Sequence, residues 1–426
     1  MSYSARNAAL NILCEVCDHG YLNLVGKKYL PLLKKAEDRR FCTALVSTTV
    51  ENLYRIDYVL ETFTTAKRIQ KVVKNILRLG VCQLMFFESV PQSAAVNESV
   101  RLCQKCGKSQ LKGFVNGVLR SVANNLGSME YPSETDDPAR YLSVLYSYPK
   151  WLCEKYLDEY GFAFTQDMLA YRAEYALTCV RVRKDRHKDW LPGRYCADAA
   201  YIRNASAIEE MPQYRSGALT VMSEASMLCV TAADLHKDDR VLDVCAAPGG
   251  KTAYAAEKCK SVLSTDLHAH RVQLIEKNIR RLHLDNVQTM QMDACIFQKS
   301  LEEQFDVVLC DVPCSALGLL YRKPDIKIHK QPEDLEALVE IQQRILDVCS
   351  RYVRPGGKLI YSTCTINAEE NERNIEAFLN THAGFAPDDF SGTLPETLRP
   401  RIKTGLQLFP HLDGVDGFYI ARLKRK

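Results

Sequence analysis

The stretch from Arg240 to Glu257 constrains the fold more than any other part of the chain. It reads as a buried strand carried by Val241, Leu242 and Val244, then the turn Cys245-Ala246-Ala247-Pro248-Gly249-Gly250-Lys251-Thr252, then a helix beginning near Ala253. An apolar strand that breaks into a Pro-Gly-Gly turn and opens a helix leaves free backbone N–H groups at the carboxyl edge of a sheet, where doubly wound folds bind cofactors. A phosphate-binding P-loop needs a further glycine where Cys245 stands, which argues against ATP or GTP despite the Gly-Lys-Thr run. The dinucleotide fingerprint of spaced glycines is absent as well. Taken alone, the turn is also compatible with an ordinary strand-to-helix connection.

A chain of 426 residues, 46% apolar and 25% charged, has room for about two or three domains with real cores. Its 17 cysteines are scattered, no basic-then-apolar leader opens the sequence, and no apolar run is long enough to span a bilayer. A reduced, soluble, cytoplasmic protein without a membrane partner is expected, working as a monomer. Cys14/Cys17 and Cys103/Cys106 have a zinc-like spacing but lie far apart in helix-like patterns, where cysteine is a common small core residue, so no metal is expected. The net charge of +4 hides an asymmetry: residues 1–129 hold 18 Lys or Arg against 9 Asp or Glu, a net +9, which leaves the remainder at −5. A basic domain on a mildly acidic one fits a polyanion-docking module attached to a catalytic body; solvated helix faces would produce the same count.

Residues 1–129 show apolar spacing near the helical period and almost no strand signal. Val72, Val73, Ile76, Leu77, Leu79, Val81, Leu84 and Met85 mark a densely apolar, central helix of an all-helical domain. The runs Ala94-Ala95-Val96-Asn97-Glu98-Ser99-Val100 and Gly113-Phe114-Val115-Asn116-Gly117-Val118-Leu119-Arg120 resemble the RNA-binding NusB family of transcription antitermination factors. Turn formers near 127–138 suggest a linker, and residues 149–171 a short helical stretch. Leu177 to Arg183 alternates like a strand, with Arg181 and Arg183 on one face, suited either to phosphates or to solvent at a sheet edge. From Ala225 onward helix and strand alternate, which predicts a mainly parallel sheet with strands at 240–245, 261–265, 286–291, 305–310 and 356–362. The intervening helices are expected at 252–259, 269–283, 333–353 and 368–381, the last opened by a capping box of Asn367 and Glu370, and residues 406–423 should close as an antiparallel hairpin.

Three acids end three consecutive strands: Asp266, Asp293 and Asp311. An acid closing the second strand can accept both ribose hydroxyls, and one closing the third can accept an adenine amino group, so three around one glycine-rich turn favour an adenosine cofactor. Two cysteines leave adjoining strands beside them: Cys314 in Asp311-Val312-Pro313-Cys314-Ser315 and Cys364 in Ser362-Thr363-Cys364-Thr365.

Cys245 to Thr252, Asp311 to Gly318, Pro324-Asp325-Ile326-Lys327, Pro355-Gly356-Gly357-Lys358, Ser362 to Thr365 and Glu369-Glu370-Asn371-Glu372 together resemble the S-adenosylmethionine-dependent RNA cytosine-C5 methyltransferases. With the NusB-like head, nearly the full length is similar to the bacterial 16S ribosomal RNA methyltransferase B (Sun/Fmu) group, departing from its pattern at Arg183 and at Met222-Ser223-Glu224. The resemblance implies a multidomain fold: a helical NusB-like RNA-binding domain at 1–129, a linker and small α+β RNA-binding subdomain at 130–224, and a Rossmann-like class I methyltransferase domain at 225–426. It implies S-adenosylmethionine as cofactor, held by Cys245, Ala246, Ala247, Pro248, Gly249, Gly250, Lys251, Asp266, Asp293 and Asp311, and 16S rRNA or an assembly intermediate as partner.

Carbon 5 of cytosine is too electron-poor to take a methyl cation directly, whereas a thiolate adding to carbon 6 turns it into an enamine-like nucleophile. Cys364 is the expected nucleophile; the resemblance assigns the acid near N3 to Asp311 and product release to Cys314, and Lys251 is suited to lowering the thiol pKa or ordering the cofactor's methionine end. The base must also leave its stack. A tRNA cytosine-C5 methyltransferase and a non-catalytic antitermination-like RNA binder are the alternatives, and the second has no need of two thiols.

Overall fold

Helix Lys71–Phe86 is apolar on nearly all sides, and the structure buries Val73, Ile76, Leu77, Leu79, Val81 and Cys82 on it. In this computed structural model, which describes residues 3–66, 68–172, 177–184, 186–203 and 208–426, helices Ala5–Val16, Ala36–Glu51, Leu53–Thr62, Gln92–Lys105 and Lys112–Asn125 pack around it. The central helix is the one the sequence marks. Cys14 and Cys17 lie against this core and accept hydrogen bonds from Asn75 and Arg78, while the buried Cys103 thiol donates to the Lys108 carbonyl.

The chain divides into two units, Met1–Ala170 with Lys323–His329, and Tyr171–Arg322 with Lys330–Lys426. The division falls at neither 129/130 nor 224/225. Helices Pro138–Tyr146, Lys150–Tyr160 and Phe162–Ala170 join the first unit, because Pro138–Tyr146 packs on Leu53–Thr62 and the other two pack on it. Lys323–His329 joins the same unit through buried polar contacts: the Leu22 N–H donates to Asp325 at 2.9 Å, and Lys327, 3% exposed, donates to the carbonyls of Glu51 and Ser147.

The second unit holds two sheets. Strands β1 (Leu177–Val182), β2 (Leu191–Pro192), β3 (Ala199–Arg203) and β4 (Leu219–Val221) form a small antiparallel sheet in the order β2-β3-β1-β4. β1 is therefore interior. Its Arg181 is buried and makes a two-pronged pair with Glu257 at 2.7 Å, and Arg183 joins the same carboxylate, so neither phosphate nor solvent takes that face. Glu224, at the departing Met222-Ser223-Glu224 run, is buried beneath residues 194–196 and accepts their three backbone N–H groups and the Tyr201 hydroxyl.

The larger sheet contains β5 (Arg240–Val244), β6 (Ser261–Asp266), β7 (Val287–Gln291), β8 (Phe305–Asp311), β9 (Val353–Thr363), β10 (Phe385–Pro387), β11 (Leu406–Leu408) and β12 (Phe418–Arg425). Its order is β10-β12-β9-β8-β5-β6-β7, parallel from β7 through β9, with β11 pairing β12. All five predicted parallel strands and the closing antiparallel tail are present. The apolar faces of this sheet pack between helices that cover both sides, as a mainly parallel sheet requires. One expectation fails locally: the Asn367 side chain caps no helix start, and the α-helix expected from 368 begins only at Glu372, because Glu370 turns inward to a different set of donors. The capping box forms instead at Gln331 and Asp334, ahead of helix Pro332–Ser350.

Candidate active site

The chain runs β5 to β7 towards one edge of the sheet and returns through β8 and β9 on the other side of β5, which makes the β5/β8 boundary a topological switch point. Every residue singled out for chemistry lies at the carboxyl ends of these strands. After β5, Cys245 takes a positive φ of 55°, Ala247-Pro248 is cis, and Gly249 sits at φ 94°, a left-handed value that favours glycine. The turn ends there, so the helix starts at Gly250, three residues before its expected start.

The turn is tied to β6. Ala246 N–H donates to the Thr265 carbonyl at 2.9 Å, and Ala247 N–H donates to the Asp266 carboxylate at 3.2 Å. Asp266 is 2% exposed and also faces Arg271 at 3.4 Å. Asp293 follows β7, half-buried, and accepts the Cys295 N–H at 2.9 Å. Asp311 ends β8, where Ser362 Oγ donates to one carboxylate oxygen at 2.8 Å and Lys251 Nζ to the other at 2.7 Å. Burial works against the Lys251 ammonium, but Asp311, Cys229 and Asp243 together hold its pKa above the ordinary value. Lys251 thus directs its charge at Asp311, with Ser226 at 3.4 Å as a second partner.

The two cysteines meet. Cys314 Sγ lies 3.2 Å from Cys364 Sγ, and the Cys364 N–H donates to Cys314 Sγ at 3.3 Å. The thiol–thiol contact with Cys364, with burial behind it, pushes the Cys314 thiol well above its ordinary pKa. The loop after Cys314 is clamped: Gly318 N–H donates to the Cys364 carbonyl at 3.1 Å, and Gly417 N–H donates to the Gly318 carbonyl at 3.0 Å. Farther along, Tyr321 and Arg322 both bond Asp416, at 2.8 and 2.6 Å.

Sequence reasoning missed Asp243, Ser362 and the inward role of Glu370. Asp243 was visible as the one charge within the apolar run Val241–Val244 of β5. It is fully buried, Thr252 donates to one oxygen at 2.6 Å, and the other oxygen has no hydrogen-bond partner. Burial pushes its pKa up to about 7. Carboxylate acceptors at the strand ends beside the glycine-rich turn, with Asp266 bonded to the turn itself, make a set that fits a cofactor carrying ribose hydroxyls and amino groups.

A glycine-rich turn at a switch point, three strand-end acids and paired thiols fit an α/β methyltransferase. Residues 230–424 match the family model described as 16S rRNA methyltransferase RsmB/F, and residues 3–124 match the NusB family. The probable ribosomal RNA small subunit methyltransferase B of Bacillus subtilis (strain 168) is 35% identical, with 99% of each chain covered. The ribosomal RNA small subunit methyltransferase B of Erwinia tasmaniensis is 31% identical over 94% of this chain and 92% of its own. The chain belongs to this methyltransferase B family, an S-adenosylmethionine-dependent rRNA methyltransferase with a NusB domain at its N-terminus. The crystal structure of PH0851 shares the fold, with a TM-score of 0.79 at 21% identity over the whole of both chains. NSun6 from Pyrococcus horikoshii shares it with a TM-score of 0.55 at 20% identity, over 66% of this chain and 99% of its own.

Proposed function

We propose that this enzyme methylates carbon 5 of a specific cytosine in 16S rRNA through a covalent adduct between Cys364 and carbon 6. The 3.2 Å approach of Cys314 to Cys364, beside the Asp311–Lys251 pair, carries this reading. S-adenosylmethionine supplies an electrophilic methyl group, and the residues that would hold it are 245–251 with Asp266, Asp293 and Asp311. Cys364, as thiolate, forms the bond to carbon 6. The displaced electron pair moves towards N3, where Asp311, fixed by Ser362, relays to N3 a proton taken from the Lys251 ammonium bonded to it, and the same relay takes that proton back when the ring is restored. Carbon 5 then takes the methyl group, a base removes its proton, and the Cys364–carbon 6 bond breaks to restore the ring. Cys314 serves that last step, next to the sulfur that must leave. The basic residues 1–129 form the RNA-docking domain, residues 225–426 the catalytic domain, and residues 130–224 link them and take part in RNA binding. The work is done in the cytoplasm.

The two thiols have different jobs, and the difference is measurable. Cys364→Ala should abolish methyl transfer and form no adduct. Cys314→Ala should attack and methylate, then stall as a protein–RNA species on a denaturing gel. Turnover by both variants with no adduct in either would exclude thiol addition. Bisulfite mapping of total RNA with and without the protein identifies the base and its position, and a target confined to tRNA would overturn the rRNA assignment.

A further inference from the structure

Glu370 is fully buried, and its hydrogen bonds come from neutral groups alone. Oε1 accepts from Ser315 Oγ at 2.5 Å and Asn367 Nδ2 at 3.0 Å; Oε2 accepts from the Ser315 N–H and from Gln342 Nε2, both at 2.9 Å. A buried carboxylate is costly unless its oxygens are satisfied, and here four donors satisfy them. The donors come from three separate places: the loop after β8, the loop after β9, and helix Pro332–Ser350.

Their positions relative to the thiols are informative. Ser315 follows Cys314 and Thr365 follows Cys364, and their hydroxyls bond each other at 2.7 Å. Gln342 also donates to the carbonyl of Pro313, the residue before Cys314, at 2.9 Å. Both flanks of Cys314 and the segment leaving Cys364 therefore converge on one carboxylate. Tyr361, on β9, anchors the backbone of Glu370 by donating to its carbonyl at 2.5 Å.

We propose that Glu370 is a positioning residue that sets the spacing of Cys314 and Cys364 without touching either the base or the cofactor. The assignment rests on the reading that these two thiols are the reacting groups. Glutamine is the discriminating replacement, since it keeps the size but turns an acceptor oxygen into a donor facing other donors.

The test uses the full chain and diamide, which takes two electrons and both thiol protons as Cys314 and Cys364 join in a disulfide, becoming the hydrazine. Peptide mass mapping follows the linked pair with time. The native protein should close the pair quickly and Glu370→Gln at least tenfold more slowly. Ser315→Ala, which retains its N–H bond to Glu370, should fall between them, and Asn367→Ala serves if the glutamine variant does not fold. In methyl transfer, kcat should drop by a similar factor with KM for S-adenosylmethionine unchanged. Closure at the native rate in folded Glu370→Gln, or in folded Asn367→Ala where that variant stands in for it, would overturn the proposal. The disulfide measurement needs neither RNA nor cofactor, so methyl transfer by both Cys364→Ala and Cys314→Ala alongside slowed closure in Glu370→Gln would take the thiols out of the reaction and leave the positioning role standing.

Discussion

Asp243 shows how a single buried carboxyl couples this site to pH. Its folded pKa of about 7 lies above the ordinary carboxyl value of 3.8, so the folded chain holds the proton more tightly than the unfolded one. The stabilisation this provides is complete below the unfolded value and is lost as pH rises through the folded one, an effect worth about 4 kcal/mol in all. Asp243→Asn carries no such titration. Between pH 5 and 8 the stability difference between variant and native protein should move in the variant's favour by up to about 3 kcal/mol, measured by urea denaturation. A difference independent of pH would show that Asp243 does not hold this proton. The acids and cysteines at strand ends were legible in the sequence because a strand followed by a turn fixes which edge they reach. Glu370 was not: within Glu369-Glu370-Asn371-Glu372 it looks like helix-cap polarity, and its inward turn is matched by Ser315 and Gln342, 55 and 28 residues away in sequence.

The loops after β8 and β9 depend on backbone contact as much as on side chains. A Cβ on Gly318 would lie 2.1 Å from the Gly417 carbonyl oxygen, and backbone on both sides leaves no flexible atom to yield. Gly318→Ala should therefore destabilise the protein by about 2 kcal/mol or more and lower methyl transfer in the molecules that remain folded, because the displaced loop carries Cys314. Gly384→Ala is the control, with nothing within 4 Å of the added carbon, and should be neutral or slightly stabilising. Thermal melts together with activity per folded molecule check both; normal activity in Gly318→Ala would detach this clamp from the chemistry. The large sheet could be read from its alternation with helices, since each strand has a local hydrophobic signature. The small sheet could not, because β2 and β4 are two and three residues long and exist only through pairing. That is why β1 looked like an edge and its arginines looked free.

The positive excess of the chain lies in residues 1–129. Lys105, Lys112 and Arg120 are exposed on the last two helices of the NusB-like region, within the basic segment. If that segment docks RNA, affinity should fall steeply with salt, and replacing all three with glutamine should lower the slope of log K against log salt by about 2. An unchanged slope and unchanged site choice would remove the docking role from these helices. Substitution suits this test better than deletion, because the first unit includes Lys323–His329 and no single cut separates it from the second. The same seven residues bear on biosynthesis. The carbonyls of Glu51 and Ser147, which receive Lys327, leave the ribosome long before it does. At about 5 to 20 residues per second, roughly 150 residues of translation separate Ala170 from its late-arriving neighbours, a wait of about 10 to 30 s. The first unit cannot finish folding as it emerges, and its last piece arrives only while the catalytic half is still being made.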